Sequence, residues 1–228
     1  MDVALGRWLL PLLCGALVAA AGCAPWGSKV KKDDPNGVSG VISPTQQICD
    51  LRDLAKTAPA KNAYEKQLIE QQLAGQIKHE QDPLIRAQIV RTLGDYPGTA
   101  SDTVLRAAVR DPDNDVRLAA CESWGKRDTA EAATVLAGVL NGDVDHDVRL
   151  AAARNMAPLH QRAAITALAG ALEDKDPAMQ YRAVVSLRQV TGQDLGNDVN
   201  KWREYARNNQ LHPAQPEVSL AERIWHPF

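Results

Sequence analysis

The sequence predicts an all-α protein built from stacked helix hairpins, and three observations lead to this fold class. Aspartates recur at a near-constant step through the middle of the chain, at Asp82, Asp113, Asp145 and Asp176. Apolar residues within each repeat fall at helical spacing. Aromatic residues are only 4% of the 228 residues, so the core must consist mainly of Ala, Leu and Val, which suits closely packed helices. Such a step is typical of solenoids, in which each unit buries its apolar face against the next.

Several independent columns share this step of 31 or 32 residues and define a second helix in each unit. They are Ile85, Val116, Val148 and Met179; Arg86, Arg117, Arg149 and Gln180; Ile89, Ala120, Ala152 and Ala183; and Leu93, Trp124, Met156 and Leu187. Two more columns define a first helix: Leu105, Leu136 and Leu168, and Val109, Leu140 and Leu172. We therefore predict one helix hairpin per unit, with the single extra residue of the third unit in the turn 141–144.

Local signals predict where the helices begin and end. Asp128 and Glu131 have the spacing of a capping box that opens a first helix, whereas Gly94 and Gly125 lie where second helices end. Additional helices are expected over 45–54 and 63–77, and Thr191 with Gly192 should stop the last second helix. After it, Val199, Trp202 and Tyr205 are spaced to line one more helix, which would cap the array.

The segments DPDNDVRLAA and DVDHDVRLAA resemble the HEAT repeat family, in particular its short bacterial form related to phycobilin-lyase repeats. The resemblance covers residues 63–190 and implies a right-handed α-α superhelix of four to five helix hairpins. It also implies a ladder in which an acidic residue six positions before each Arg joins neighbouring units. The matching residues are Glu80, Asp111, Asp143 and Asp174 as carboxylates and Arg86, Arg117 and Arg149 as guanidinium groups, with Gln180 in the fourth Arg position.

The N-terminal residues have the pattern of an export signal. Residues 8–21 form a short apolar run that ends in Ala20-Ala21-Gly22-Cys23, which resembles the lipobox of bacterial lipoproteins. This resemblance implies that Cys23 becomes the lipid-modified first residue of a membrane-anchored, periplasm-facing protein. Ala24 slightly favours the outer membrane. The alternative is an ordinary signal cleaved near Ala21.

We divide the chain into a signal peptide (1–22), a flexible tether (23–44), a repeat domain with capping helices (45–206) and a tail (207–228). The apolar end of the tail, Trp225–Phe228, is expected to dock on the repeats or to be disordered, and the alternative is a contact for a partner. Cys49 and Cys121 could form a disulfide in an oxidising compartment or remain two separate thiols.

The sequence shows no pattern that favours an enzyme or a cofactor. The net charge of −2 argues against a nucleic-acid binder that neutralises phosphates. Asp111, Asp113 and Asp115 imitate part of a calcium loop, but Val116 stands where that loop needs Gly. His79-Glu80 is similar to the iron-binding pairs of deoxyhypusine hydroxylase, a HEAT enzyme, but that enzyme needs several pairs. We therefore predict no metal and no catalytic residue.

The predicted function is a non-enzymatic scaffold that holds other envelope proteins at a membrane. The second helices of HEAT repeats line a concave wall, and the resemblance places Arg91, Glu122 and Arg154 in one column of it, with Arg127 and Arg188 near the same edge. These five residues are the predicted contact face for protein partners whose identity the sequence does not give. The alternative is a ligand- or chromophore-handling domain related to phycobilin lyases, which would carry a bound tetrapyrrole on purification.

Overall fold

The structure, a computed structural model, describes residues 42–208 and Pro213. The chain divides into two units, Met1–Ile42 and Ser43–Phe228, and the helices below belong to the second. Ten α-helices, a short 3-10 turn at Ala58–Ala60 and no strand occur within residues 42–208. None of these helices combines the length and the apolar character needed to cross a membrane. The expected signal, most of the tether with Cys23, and the tail beyond residue 208 apart from Pro213 lie outside the described residues.

The helices form two rows, which we call the A row and the B row. First helices make up the A row: α2 (Ala63–Gln76), α4 (Thr99–Ala108), α6 (Ala130–Gly142), α8 (Arg162–Ala171) and α10 (Val199–Arg207). Second helices make up the B row: α1 (Pro44–Thr57), α3 (Pro83–Leu93), α5 (Asn114–Trp124), α7 (His146–Asn155) and α9 (Pro177–Thr191). Each B helix packs on the next one along the row. The result is four complete hairpins between two half-units, α1 and α10, which confirms the predicted all-α solenoid.

The recurring aspartates are the N-caps of four B helices. The carboxylates of Asp82, Asp113, Asp145 and Asp176 each accept a hydrogen bond from the backbone N–H two residues further on. The capping box expected at Asp128 is wrong by one residue. Thr129 caps α6 and accepts from the Ala132 N–H, while Asp128 and Glu131 bind side chains of other units.

The core consists of the apolar columns that the sequence aligns. Leu105, Leu136 and Leu168 of the A row and Trp124, Met156 and Leu187 of the B row are all buried at 1% exposure or less. Ala120, Ala152 and Ala183 of the B row are fully buried as well, and their small side chains permit close packing of the helices. Burial of these columns between successive units removes most of their apolar area from water and holds the rows together.

Two glycines at the ends of B helices are required by close packing and not by an unusual backbone. Gly94 and Gly125 have right-handed φ values of −55° and −62°. A Cβ atom on Gly94 would lie 2.9 Å from Ser123 Oγ, and one on Gly125 would lie 2.9 Å from Asn155 Cβ. Gly192 differs, since it ends α9 in the left-handed region with φ 67°.

The extra residue of the third unit lies at the end of a helix and not wholly in a turn. Helix α6 has 13 residues and continues to Gly142, whereas α4 and α8 have 10 residues each. The expected turn 141–144 is therefore half helical. The exposed C-terminal end of an A helix accepts the insertion without changing the order of the B helices.

Candidate interaction surface

Partly buried ion pairs join the first three complete units along the B row. The Arg86 guanidinium donates to both carboxylate oxygens of Asp111, at 3.1 and 2.9 Å, and Arg117 binds Asp143 in the same way at 2.9 and 3.1 Å. The side chains of this second pair are only 11% and 7% exposed. These hydrogen bonds raise the pKa of both arginines. The expected ladder therefore has two rungs at Arg86–Asp111 and Arg117–Asp143.

The expected third rung, from Arg149 to Asp174, does not form. Arg149 donates to the Asp143 carbonyl oxygen at 2.8 Å and contacts His146 Nδ1 at 3.2 Å. The other ring nitrogen of His146 lies 2.8 Å from the N-cap carboxylate of Asp176 and makes the link to the next unit. Asp174 instead accepts from the Asp176 N–H. Glu80 likewise accepts a hydrogen bond from the Asp82 N–H. The first and last carboxylates of the expected ladder, Glu80 and Asp174, therefore bind the backbone of their own turns.

Exposed charges of α3 and α5 form the first part of the predicted contact face. Arg91 Nε donates to Glu122 Oε2 at 2.7 Å, with 37% and 48% of these side chains exposed. Lys126 Nζ binds both carboxylate oxygens of Asp95 at 2.7 and 2.8 Å. Each such exposed pair contributes at most about 1 kcal/mol to stability. Arg154 occupies the next position of the column on α7, is exposed, and makes no ion pair with a described residue.

Arg127 is not part of this face, contrary to the sequence prediction. Its side chain is buried at 8% exposure, and its guanidinium donates to the carbonyl oxygens of Leu93, Gly94 and Tyr96 at 3.0, 2.6 and 3.3 Å. The Leu93 and Gly94 carbonyls lie at the C-terminal end of α3 and the Tyr96 carbonyl lies in the turn after it, so Arg127 binds the end of this helix and holds two units together. The signal was available in the repeat alignment, because the other members of its column, Tyr96, Leu159 and Val190, are apolar.

Arg188 lies at the C-terminal end of α9 and serves mainly the chain that follows. Its Nε is 3.1 Å from Asp194 Oδ1, and its terminal nitrogen donates to Asn197 at 2.9 Å. The side chain is 36% exposed. Arg188 thus fixes the loop that leads to α10 and still presents a part of its guanidinium to solvent.

A shallow groove runs between α1, α3 and α5 on the exposed side of the B row. Its volume is about 260 Å³, below the range of typical small-molecule pockets. Four cationic side chains line it (Arg52, Lys56, Arg91 and Lys126) together with two carboxylates, Asp95 and Glu122. Lys56 pairs with Asp53, which lies outside the groove, at 2.9 Å. Among the described residues Arg52 binds only the neutral Gln88, at 3.3 Å, so it is the one cation of the groove without an ion pair to a described residue.

Glu70 of α2 is a buried carboxylate that the sequence analysis missed. It is 5% exposed and lies against Gly98, where a Cβ atom would be 2.2 Å from one carboxylate oxygen. Burial raises the pKa of Glu70, while the Ser101 backbone N–H and Arg127 act in the opposite direction. Because Gly98 has no side chain to cap α4, Glu70 supplies negative charge at the N-terminus of that helix.

The described residues contain no group of three His, Cys, Asp or Glu side chains placed to hold a metal ion. Cys49 and Cys121 are free thiols on α1 and α5. Cys49 is exposed, whereas burial raises the pKa of Cys121 to about 12. The structure therefore supports the interpretation of two separate thiols, and Cys121 lacks the thiolate character that a nucleophile needs.

Comparison with known proteins agrees with this architecture. Residues 70–157, which span α3 to α7 together with the end of α2, match the protein family described as HEAT repeats. No curated protein matches the sequence. The match includes both rungs of the Arg–Asp ladder and the charges at Arg91, Glu122 and Arg154.

Proposed function

Because the chain is a HEAT-repeat protein through residues 70–157, we propose that it is a non-enzymatic scaffold that binds other proteins with the exposed side of its B row. HEAT repeats generally mediate protein–protein interaction. The observation that best supports this proposal is the charged surface that continues over α1, α3, α5 and α7. A row of helices that contact only their neighbours presents more surface per residue than a compact domain does.

The charge of this surface indicates the kind of partner. Two arginines of this surface, Arg52 in the groove between α1, α3 and α5 and Arg154 on α7, make no ion pair with a described residue. A partner surface rich in Asp and Glu would complete these pairs and would associate faster at low ionic strength. Arg91 and Glu122 would contribute as a pair, and Arg188 would lie at the far edge.

The proposal includes a lipid anchor at Cys23 in a bacterial envelope, with the outer membrane favoured. It is supported by the sequence Ala20-Ala21-Gly22-Cys23 after an apolar run. An acylated Cys would hold the repeats at a membrane surface without a transmembrane helix. Metabolic labelling with a fatty acid tests it: the full chain should incorporate label and sediment with membranes, and Cys23→Ser should do neither. An unlabelled wild-type chain would rule the anchor out.

Site-specific crosslinking tests the contact face. A photoreactive residue at position 52 or 154 should capture the same protein in cells, and the charge reversals Arg52→Glu and Arg154→Glu should each lower the yield several-fold. Arg162→Glu is the matched control, since Arg162 is an exposed arginine at the start of α8 in the A row. Equal loss with Arg162→Glu, or no specific adduct at either B-row position, would contradict the proposed face.

A further inference from the structure

The A row is interrupted between α4 and α6. The backbones of α2 and α4, and of α6 and α8, come close together, whereas those of α4 and α6 make few such approaches. A groove of about 540 Å³ opens between them, which is large enough for several side chains of a bound segment. This groove lies in the A row and is separate from the contact face proposed above.

The floor of this groove is apolar. Val139 is 8% exposed, and Val109 and Val135 are partly buried against the core. Gly138 and Gly142 lie beside them, and no atom is within 4 Å of the place where a Cβ of either glycine would be. The groove thus has apolar walls and free space above its glycines.

The rim of the groove carries one cation that is not neutralised. Arg106 pairs with Glu131, and Asp143 pairs with Arg117. Arg110, at the C-terminal end of α4, is exposed and makes no ion pair or side-chain hydrogen bond with a described residue. An apolar segment that carries a carboxylate would therefore complement this end of the groove.

Residues 217–228 of this chain have that chemistry. They contain the apolar side chains Val218, Leu220, Ile224, Trp225 and Phe228 and the carboxylates Glu217 and Glu222. The C-terminal end of α10 lies at the same edge of the A row as the C-terminal end of α8. Arg207, at the end of α10, is 3.4 Å from Glu173, which follows α8 directly. All A helices run in the same direction, so the C-terminal end of α4 lies at this edge too. Arg110 follows α4, and its end of the groove therefore opens at the edge where the chain leaves α10.

The chain is also long enough. Neighbouring helices pack about 10 Å apart, so the groove is roughly 25 Å from the end of α10 along the row. Residues 209–216 number eight and can span about 26 Å when extended. Residue 217 then reaches the Arg110 end of the groove. Because this linker must be almost fully extended, tethering adds little to the effective concentration of the tail, and contacts within the groove must supply the affinity.

We infer that residues 217–228 occupy the groove between α4 and α6, with a carboxylate beside Arg110 and apolar side chains on Val109, Val135 and Val139. The tail completes the interrupted A row from outside and covers its apolar floor. A tail from a second copy and a segment of another protein are the competing occupants.

Trypsin cleavage at Arg223 tests this inference in the full chain. Arg223 is the only Lys or Arg after Arg207, so cleavage there reports on the tail alone. Cleavage requires the tail to leave the groove, and we expect it to be at least about tenfold slower in the folded chain than in a synthetic peptide of residues 209–228. Gly138→Trp, which fills the groove, should bring the rate to that of the peptide.

Gly170→Trp is the matched control, because Gly170 lies one unit further along the A row and is equally open at Cβ. It should leave cleavage slow, and thermal unfolding should show that both variants fold. Arg110→Glu gives a second test and should speed cleavage, whereas Arg162→Glu should not. The inference is overturned if Arg223 is cleaved at the peptide rate in the wild-type chain, or if Gly138→Trp leaves cleavage slow. Protection that disappears on dilution would instead assign the groove to a second copy.

Discussion

Glycines within the repeats of this protein have different physical roles. Gly125 ends α5 where a neighbouring unit comes too close for any side chain, and the Asn155 backbone oxygen would be 3.0 Å from an added Cβ. Gly138, in the middle of α6, has open space at the same position. The sequence shows the same residue type in both places, and only the packing between units distinguishes them.

These two glycines give a paired stability prediction. Gly125→Ala should lower the free energy of unfolding by about 1–3 kcal/mol, because α7 must shift to admit the methyl group. Gly138→Ala should raise it by about 0.5–1 kcal/mol, because alanine favours the helix and no described atom lies within 4 Å of the added Cβ. Urea unfolding of both variants measures the difference. A stable Gly125→Ala variant would mean that the close approach of α5 and α7 is not a constraint.

Glu70 predicts a pH dependence with a definite sign. Its folded pKa is raised above the ordinary value of 4.5 because burial disfavours the charged form. The folded state therefore keeps a proton that the unfolded state has released, and the contribution of Glu70 to stability is lost as pH rises through the folded pKa. Glu70→Gln is neutral at every pH, so its stability relative to wild type should increase from pH 4 to pH 7.

Glu131→Gln provides the control for this pH series. Arg106 lowers the pKa of Glu131 through a hydrogen bond, so the contribution of Glu131 is present at neutral pH and lost as pH falls. The two variants should therefore diverge in opposite directions between pH 4 and pH 7. A constant offset between Glu70→Gln and wild type over this range would contradict the buried, perturbed carboxyl described here.

At the scale of helices, successive B helices are joined by unequal links. The Arg117–Asp143 pair is nearly buried, whereas Asp174 at the equivalent position of the fourth complete unit is exposed and receives no Arg. His146 makes the link there through Asp176, at an exposed site. The side-chain interactions between the α5 and α7 units are therefore stronger than those between the α7 and α9 units.

This inequality gives a test in which two variants change the same functional group. Asp143→Asn and Asp174→Asn both keep an oxygen that accepts the backbone N–H two residues on. Only Asp143→Asn leaves a buried guanidinium without its counter-charge, which should cost about 2–4 kcal/mol, whereas Asp174→Asn should change stability by less than about 0.5 kcal/mol. Equal losses in chemical unfolding would show that the buried rung adds nothing.

The sequence predicts the helices well but predicts side-chain partners poorly. Asp82, Asp113, Asp145 and Asp176 act as N-caps because capping is a local property that depends on two or three residues. Arg127 binds carbonyl groups of the preceding unit, whereas Arg149 binds groups of its own unit. The apolar column of Arg127 indicates its burial, but the repeat step does not show which partner either arginine binds. The sequence analysis also missed the gap between α4 and α6, since no column of residues records the distance between two helices of the A row.

At the scale of the whole repeat domain, α10 closes the end of the A row. Trp202 is fully buried, and its indole N–H donates to the Gly196 carbonyl oxygen at 2.9 Å. Arg203 donates to the Leu172 carbonyl oxygen from two nitrogens, at 3.2 and 2.6 Å. The expected capping helix over Val199, Trp202 and Tyr205 is confirmed, and it satisfies the end of α8 in the way that Arg127 satisfies the end of α3.

The linear construction predicts that damage at this end stays local. Trp202→Ala should cost about 3–5 kcal/mol at the site, because it removes the largest apolar side chain of α10. Since each unit contacts only its neighbours, hydrogen exchange should accelerate in α8, α9 and α10 and remain unchanged in α3 and α5. Uniform acceleration over all helices would indicate a single cooperative domain. Tyr205→Phe, on the same helix but partly exposed, should leave the exchange pattern unaltered.

The C-terminal end of α6 has a consequence for how this molecule can change in length. One extra residue there extends the helix by part of a turn, yet the Asp145 cap and the Arg117–Asp143 bond remain in place. The C-terminal ends of the A helices can therefore accept inserted residues without disturbing the hydrogen bonds and ion pairs between B helices. Insertion of a reporter peptide after Asn141 should accordingly be far better tolerated than the same insertion after Trp124.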